Sequence, residues 1–324
     1  MKQVGKFIAT TKRLDVDPSG ATEDTIYAEA VLANAPTTVV KEKGLLMVRD
    51  VPGQSDSVTF PIFNNFKLSW TNISGTGSDL GSEIETTQGG AGRWKKLTPV
   101  GYSAGLFISD EVDISTNRAD FELYAKLGGV EVSRKIDQDS IQDAIMNAAT
   151  ESGSNVYSAG GFVAEGSVGT GSTLTPSDIS KAKTLLSTGS NIYHPNVILL
   201  HPNQYNQLVM HQDFSNNANT AALKKAVFKD GQLIAYDGME IVTTELVNSG
   251  TDGGYVAPGH PAAVFTRAKS GALATKNSAF RVTTEDSRLR HGKYKIFDIR
   301  FKADVLIPES IVIIRCSDWL TIRT

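Results

Sequence analysis

The sequence predicts a mixed α+β fold in which a long hairpin, a long helix and long returning strands follow one another. Three stretches of the chain carry this prediction. Residues 63–95 form a glycine-rich stretch between two segments of alternating apolar residues, which is the pattern of an extended hairpin. Residues 119–150 repeat apolar side chains at helical spacing, and residues 293–316 alternate again.

The composition is typical of a globular protein that is neither secreted nor embedded in a membrane. Of 324 residues, 40% are hydrophobic and 21% are charged, and no apolar run approaches the length that crosses a bilayer. The first residues lack a hydrophobic signal region. The net charge of −3 argues against a dedicated nucleic-acid-binding protein. The single cysteine, Cys316, follows an apolar run, so we expect a buried thiol in a reducing, cytoplasmic compartment.

The first fifty residues are predicted to form an arm, because prolines and glycines interrupt any periodic pattern. Two predicted strands then flank the glycine-rich stretch, and each places its larger apolar side chains on one face: Val58, Phe60 and Ile62 before it, and Val100, Tyr102, Ala104, Leu106 and Ile108 after it. A hairpin of this length is marginal alone in water. We therefore expect it to lie on a neighbouring copy of the chain.

The strongest helix signal begins after Asn117, a plausible N-cap, and continues from Ala119 to about Thr150. Such a helix would be about 45 Å long at ~1.5 Å per residue. It contains Gly128 and Gly129, each of which lowers helix propensity by roughly 1 kcal/mol. The pair predicts a bend, or the close approach of another backbone.

A compact α/β lobe is predicted next. Thr175 to Asp178 reads as a capping box that opens a short helix. Residues 196–200 form a buried strand, and a second helix starts at His201 and Pro202. A third helix is predicted from about residue 220 to 228. The turn at Asp237 and Gly238 leads into a strand over 239–243.

The last strong signal is a long strand with one aromatic-rich face. Lys295, Phe297, Ile299 and Phe301 share that face, and Pro308 ends the pattern. Residues 311–314 are all apolar and predict a second strand, which we expect to pair back on the first.

The sequence offers little catalytic chemistry. His201 and His211 lie ten residues apart, which does not suit a metal-binding helix. The Gly-Thr-Gly-Ser segments at 75–78 and 169–172 do not continue into a phosphate-binding loop. We therefore predict no catalytic residues, no cofactor and no metal. One mixed-charge group is interpreted as a partner surface, with a solvated loop as the alternative: Arg281, Glu285, Asp286, Arg288 and Arg290.

The order of these parts resembles the major capsid proteins of tailed phages, with the Hong Kong ninety-seven-type fold. Local phrases are similar too: VILLHPNQY at 197–205, YDGMEIV at 236–242 and AVF at 263–265. The resemblance implies the following organisation: an N-terminal arm (1–50), an extended β-hairpin called the E-loop (51–110), a peripheral domain with a spine helix (111–174), an axial α/β domain (175–265) and a return to the peripheral domain (266–324).

The resemblance implies a structural protein, not an enzyme, that self-assembles into pentamers and hexamers of an icosahedral shell around double-stranded DNA. The virion would be its location, after assembly in the host cytoplasm. Implied partners are weakly contacted DNA and separate scaffolding, portal and optional decoration proteins, with no membrane. Gly128 and Gly129 would form a hinge. The expected intersubunit contacts of the E-loop are Lys67, Trp70, Ile73, Leu80, Ile84 and Trp94.

Two details depart from parts of that family. The stretch before Val51 is too short for a scaffolding domain, so we expect the scaffold to be a separate protein or absent. No asparagine or acidic partner can be matched to Lys67, so we predict no lysine–asparagine cross-link between subunits.

Two alternatives stay open. The first is an encapsulin-type nanocompartment shell, which shares the fold but encloses an enzyme cargo. The second is an α/β enzyme whose active site carries no recognisable motif. A discrete small oligomer would favour the enzyme, whereas particles or rings would favour a shell.

Overall fold

The computed structural model describes residues 38–62, 93–109, 118–151, 155–164, 168–169, 171–188, 193–211, 225–249, 259–276, 280–287 and 292–318. The helices within these ranges are α1 (Val39–Glu42), α2 (Arg118–Ala144), α3 (Pro176–Thr188) and α4 (Pro202–Val209), with short 3-10 helices at Met146–Thr150 and Pro308–Ser310. The strands are β1 (Met47–Asp50), β2 (Val58–Ile62), β3 (Arg93–Leu97), β4 (Val100–Ser109), β5 (Asn155–Ser158), β6 (Val163–Ala164), β7 (Val197–Leu200), β8 (Ala226–Lys229), β9 (Gln232–Tyr236), β10 (Met239–Thr243), β11 (Ala262–Phe265), β12 (Gly271–Thr275), β13 (Arg281–Ser287), β14 (Gly292–Val305) and β15 (Ile311–Arg315).

A five-stranded sheet is organised around β14, the longest strand described. β4 pairs antiparallel with one edge of β14, while β13 and β12 pair with successive parts of the other edge. β1 extends the sheet by pairing parallel to β12. Phe297, Ile299 and Phe301 lie on one face and are nearly fully buried, as the alternating pattern predicted. Their face packs against α2, so the helix and β14 together form the base of this lobe.

The strands on either side of the glycine-rich stretch pair as a hairpin, but the second of these strands is not the predicted one. β2 pairs with β3 in a separate two-stranded sheet, with Ile62 opposite Arg93. The strand that we expected to close the hairpin, β4, pairs instead with β14. β3 escaped prediction because three of its five residues are cationic, which hides its alternation.

An eight-stranded mixed sheet forms the second lobe, in the order β6-β5-β15-β11-β7-β10-β9-β8. Its central strands are buried on both faces. Along β7, Val197 and Leu199 face one hydrophobic core, whereas Ile198 and Leu200 face the other. A fully apolar strand is what a sheet covered on both sides requires. The first of these cores is continuous with the one beneath α2, so the two lobes share it.

The prediction that residues 311–314 pair back on β14 is wrong. β15 crosses to the eight-stranded sheet, where it lies between β11 and β5. Its four isoleucine and valine side chains are almost completely buried. A position between two strands, inside a doubly covered sheet, buries all four, whereas the exposed edge of a sheet would not.

The long predicted helix is confirmed in its main part. α2 has 27 residues, which correspond to about 40 Å, and it runs through Gly128 and Gly129 without interruption. The last predicted turn is a 3-10 helix over Met146–Thr150 instead. Helix ends commonly tighten in this way.

The capping box at α3 is confirmed. The backbone N–H of Asp178 donates to Thr175 Oγ1, and the N–H of Thr175 donates to Asp178 Oδ2. The third predicted helix, over about 220–228, is wrong where it is described: residues 226–229 form β8. Asp230 and Gly231 then adopt positive φ angles of 51° and 79°. Asp-Gly with this geometry is the two-residue turn that joins hairpin strands, and it identifies β8 in retrospect.

Two connections join the lobes and contact each other through buried serines. The chain passes from β11 to β12 through 266–270 and returns from β14 to β15 through 306–310. Ser310 Oγ donates to Ser270 Oγ at 2.7 Å, and Ser270 Oγ donates to the carbonyl of Thr266 at 2.9 Å. Both serines are fully buried. The two connections therefore satisfy each other's polar groups where water is excluded.

Candidate assembly surfaces

The base of the β2–β3 hairpin is fixed to the five-stranded sheet. Phe60 and Leu97 are buried against the alanines of β12, and the Lys95 ammonium lies 2.9 Å from Asp304 and donates to the carbonyl of Val305 at 2.7 Å. Apolar burial and the two polar contacts of Lys95 therefore hold the base of the hairpin on the sheet. We call this base the root of the hairpin. Ile62 and Arg93, the described residues on either side of 63–92, lie opposite each other in this hairpin.

Of the six predicted E-loop contacts, only Trp94 lies in the described part of the chain. Trp94 lies in β3 and is 63% exposed. Such exposure is unusual for a tryptophan and is compatible with a contact to another subunit. The remaining predicted contacts lie outside the described residues: Lys67, Trp70, Ile73, Leu80 and Ile84. Their role stays a prediction.

The predicted mixed-charge group falls on β13 and the residues after it. Arg281 is exposed and lies 3.9 Å from the Asp298 carboxylate of β14, and Glu285 is exposed as well. Asp286 pairs with Lys293 in the strand register, while Arg288 and Arg290 lie outside the described residues. β13 ends the sheet on its side of β14 in the described part of the chain. The group is placed where a partner could reach it.

Exposed apolar residues lie on either side of the predicted hinge in the sequence of α2. Gly129 is buried, whereas its neighbours Leu127 and Val130 are 53% and 43% exposed. Further large apolar side chains are exposed elsewhere: Val48, Val100, Phe107, Val163, Met210, Val227, Phe228 and Ile234. Scattered apolar residues of this kind are normal on a protein surface, and only a contiguous group of them marks an interface.

Residues 38–50, which we call the strap, connect several parts of the fold. Asp137 of α2 accepts hydrogen bonds from the backbone N–H groups of Val39 and Val40 at 2.8 and 3.1 Å. Burial raises the pKa of the Asp137 carboxyl, although these two N–H groups and the Thr38 hydroxyl favour its charged form. The partners are nearly a hundred residues apart, so the sequence carried no signal for this contact.

The strap also contacts the second lobe and the core. Lys43 lies 3.4 Å from Glu240 of β10, to which Arg267 also donates at 2.5 Å. Leu45 and Leu46 are buried in the core that both lobes share. The last thirteen residues of the predicted arm are therefore built into the fold, and residues 1–37 lie outside the described ranges.

Removing the Asp137 carboxylate should loosen the strap. We expect Asp137→Ala to lower the free energy of unfolding by about 1–3 kcal/mol, because two backbone N–H groups lose their acceptor in a buried site. Urea unfolding followed by tryptophan fluorescence measures this change. Glu131→Ala on the same helix is the control, since its ion pair with Arg134 is exposed and should contribute less than about 1 kcal/mol. Equal effects of the two changes would contradict the proposed role.

The described residues offer little for catalysis. Among them, no group of three or more histidine, cysteine or acidic side chains could hold a metal ion. The Cys316 thiol is fully buried as predicted, and burial raises its pKa well above the ordinary value, which makes it a poor nucleophile at neutral pH. His201 stacks on His260 rather than approaching His211. No helix in the described ranges is long and apolar enough to span a membrane.

Known proteins resemble this chain in sequence at the family level and in fold. A family model described as phage capsid protein matches residues 96–314, more than half of the chain. No curated protein matches the sequence.

Solved structures share the fold at low sequence identity. A structure from Microbacterium phage Oxtober96 has a TM-score of 0.57 at 12% identity, covering 97% of this chain and 98% of that one. The capsid of the cyanophage P-SCSP1u has a TM-score of 0.54 at 14% identity and covers 87% and 89% of the two chains. The holo-SrpI encapsulin complex from Synechococcus elongatus PCC 7942 has a TM-score of 0.54 at 9% identity, covering 90% and 93%. These likenesses establish a common architecture.

Proposed function

The chain belongs to the phage capsid protein family and is a capsid shell protein, and from this premise we propose that it assembles into pentamers and hexamers of an icosahedral shell around double-stranded DNA. The supporting observation is the extent of the family match. Residues 96–314 include α2, four of the five strands of the five-stranded sheet (β4, β12, β13 and β14) and nearly all of β15. The match thus covers the framework of both lobes rather than one local motif.

The proposed mechanism is assembly without turnover. Each subunit presents one surface to a neighbour and receives a different surface from the neighbour on its other side, and such heterologous contacts close into rings. The root of the hairpin at Lys95 is held on the subunit's own sheet, and residues 63–92 are the proposed contact with a neighbour. The exposed apolar residues and the charged strand β13 would supply further contacts, with burial giving affinity and charge giving specificity.

Sizing the purified full-length chain tests this proposal. We expect rings or closed particles under negative-stain electron microscopy, and a fast-sedimenting species that grows with protein concentration. A discrete small oligomer at every concentration and salt would overturn the assembly proposal. That result would favour the alternative of an α/β enzyme.

An encapsulin-type shell is the second candidate, because the chain shares its fold with the encapsulin of Synechococcus elongatus to the same degree as with the cyanophage capsid. The content of particles from the natural source distinguishes the two. We expect packaged DNA, and a neighbouring gene for a portal or terminase. Particles that hold one abundant protein cargo would instead support the encapsulin function.

We further propose weak contacts with the packaged DNA and separate scaffolding, portal and decoration proteins as partners, with assembly in the host cytoplasm. A net charge of −3 supports weak rather than tight DNA binding. Shells assembled from the chain alone should therefore release added DNA at moderate salt. Retention of DNA at about 1 M salt would contradict weak contact.

The glycine pair in α2 is the proposed hinge for a change in the shell after assembly. Replacing Gly128 and Gly129 with alanine should stiffen the helix, since each alanine favours helical backbone by roughly 1 kcal/mol. We expect shells that assemble but fail to convert to their mature diameter, as measured by cryo-electron microscopy. Gly105→Ala is the control, because a methyl group there meets nothing within 4 Å. Normal maturation of the double variant would count against a hinge at this position.

A further inference from the structure

Two imidazole rings stack beside the segment that follows β15. His201 directly precedes α4, and His260 precedes β11. Their ring centroids lie 3.8 Å apart and their planes are within 6° of parallel. Such close stacking of two titratable rings is tolerable while at least one is neutral. The arrangement therefore depends on proton occupancy.

This pair holds residues 316–318 through Asp318. His260 Nδ1 lies 3.0 Å from Asp318 Oδ1, and Gln204 Nε2 donates to the same oxygen at 3.1 Å. Burial alone would raise the pKa of Asp318, but the hydrogen bonds from His260, Gln204 and Asn203 outweigh it and lower that pKa. Asp318 is thus held as a carboxylate. We call His201, His260, Gln204 and Asp318 the histidine cluster.

Further contacts hold residues 316–318 in place. Gln207 Nε2 donates to the carbonyl of Ser317 at 2.6 Å, and the N–H of Ser317 donates to the carbonyl of Ser172 at 2.9 Å. Gly259 packs so closely that a Cβ atom there would lie 1.9 Å from the Cys316 carbonyl oxygen. Residues 316–318 are therefore fixed to the lobe chiefly by α4 and the histidine cluster.

The proton state of His201 controls the start of α4. Its Nδ1 atom accepts a hydrogen bond from the backbone N–H of Asn203 at 3.2 Å, so the neutral ring carries its proton on Nε2. A second proton must go to Nδ1, which then becomes a donor and can no longer cap the helix. The same proton places positive charge at the positive end of α4 and against His260.

We propose that the histidine cluster is a proton-operated release for residues 316–318. Above the ordinary histidine pKa of about 6.5, neutral His201 caps α4 and the segment is held. As the solution becomes more acidic, His201 takes up a proton, the cap is lost, the new positive charge lies against the stacked His260 ring, and the segment detaches. The inference concerns the isolated chain and does not require the proposed shell.

The surroundings of His201 set the pH window. Burial first, and then the neighbouring His260, lower the pKa of His201, while Asp318 and Glu245 act in the opposite direction. A lowered histidine pKa means that the unfolded state binds more protons. The stabilisation is therefore complete above about pH 6.5 and is lost as the pH falls through the lower pKa of the folded state.

Hydrogen exchange on the full-length chain tests the release. Between about pH 7.5 and pH 5.5, we expect protection of the Ser317 amide to fall several-fold, and by no more than about tenfold for one histidine, after correction for the intrinsic rate. The amides of β7 and β10 serve as internal controls and should keep their protection. Unchanged protection of Ser317 across this range would overturn the proposal, and so would equal loss in β7 and β10, which would indicate general unfolding.

Substitution identifies the group responsible. His201→Asn should keep Ser317 protected at both pH values, because asparagine caps a helix well and does not titrate. His201→Ser is a second variant with the same property. In the unsubstituted chain, the ¹⁵N shift of the His201 ring reports its protonation. Release while His201 remains neutral, or undiminished pH dependence in the variants, would contradict its role.

Discussion

Replacing Gly271 with alanine is expected to lower the free energy of unfolding by about 3 kcal/mol, at the upper end of what overpacking costs. A Cβ atom at this position would lie 2.5 Å from the Ala144 carbonyl oxygen and 2.8 Å from Leu46 Cδ2. Ala144 is the last residue of α2, and Leu46 belongs to the strap. Backbone cannot be displaced as cheaply as a flexible side chain, so the end of α2 must move away from β12.

Urea unfolding of the full-length chain measures this effect, with Gly105→Ala as the matched control. Both glycines lie in strands of the five-stranded sheet, but a Cβ atom at Gly105 meets nothing within 4 Å. The control should be neutral or slightly stabilised, because alanine restricts the unfolded chain. If Gly271→Ala and Gly105→Ala unfold at the same urea concentration, the close approach at Ala144 does not constrain the fold.

Deleting residues 75–92 is expected to leave a folded subunit that cannot close a shell. The root of the hairpin does not depend on this segment, because Phe60 and Leu97 are buried against the sheet and Lys95 is paired with Asp304. Ile62 and Arg93 are opposite each other in the register, so the residues that remain suffice to connect them. We therefore expect a normal circular dichroism spectrum and a normal unfolding midpoint.

Sedimentation and negative-stain microscopy then report assembly of the deletion variant. Small oligomers or open sheets are expected in place of closed particles. A variant in which the segment is replaced by a glycine–serine chain of equal length separates the effect of sequence from that of length. Closed particles formed by the deletion variant would show that the segment is dispensable, whereas an unfolded subunit would show that it belongs to the fold.

The parts predicted correctly from sequence are those with a strong local signal. Residues 197–200 are entirely apolar, which predicted a buried strand. Phe297, Ile299 and Phe301 alternate without interruption, and the Thr175 capping box uses residues three positions apart. In each case the interactions that decide the structure lie within a few residues of one another.

The incorrect predictions share a different cause, which is competition between distant partners. β4 alternates as a hairpin strand should, yet β14 offers it ten paired residues, and the cationic β3 takes its place beside β2. β15 is apolar enough to pair with many strands, and only the finished sheet selects β5 and β11. Periodicity identifies a strand but carries no information about its partner.

The same distinction between local signals and distant contacts applies to the residues of the candidate surfaces. Trp94 and Arg281 were predicted as contacts because an aromatic residue and a charge cluster stand out locally, and both are exposed. The contacts of Asp137 with Val39 and Val40, and those of His201 with His260, join residues far apart in the chain. Each residue alone is unremarkable in sequence. A pairing of this kind becomes visible only when the fold brings both partners together.

The central position of β15 has a consequence for synthesis on the ribosome. Its neighbours β5 and β11 emerge well before it, yet they cannot complete the eight-stranded sheet until residue 315 has left the exit tunnel. Until then β11 and β5 lack the strand that separates them, and the shared core stays open. A subunit therefore completes its fold, and the surfaces that depend on it, only after β15 has been translated. Before that point the apolar surfaces that β15 covers are exposed in the nascent chain, and exposed apolar surface of this kind promotes aggregation.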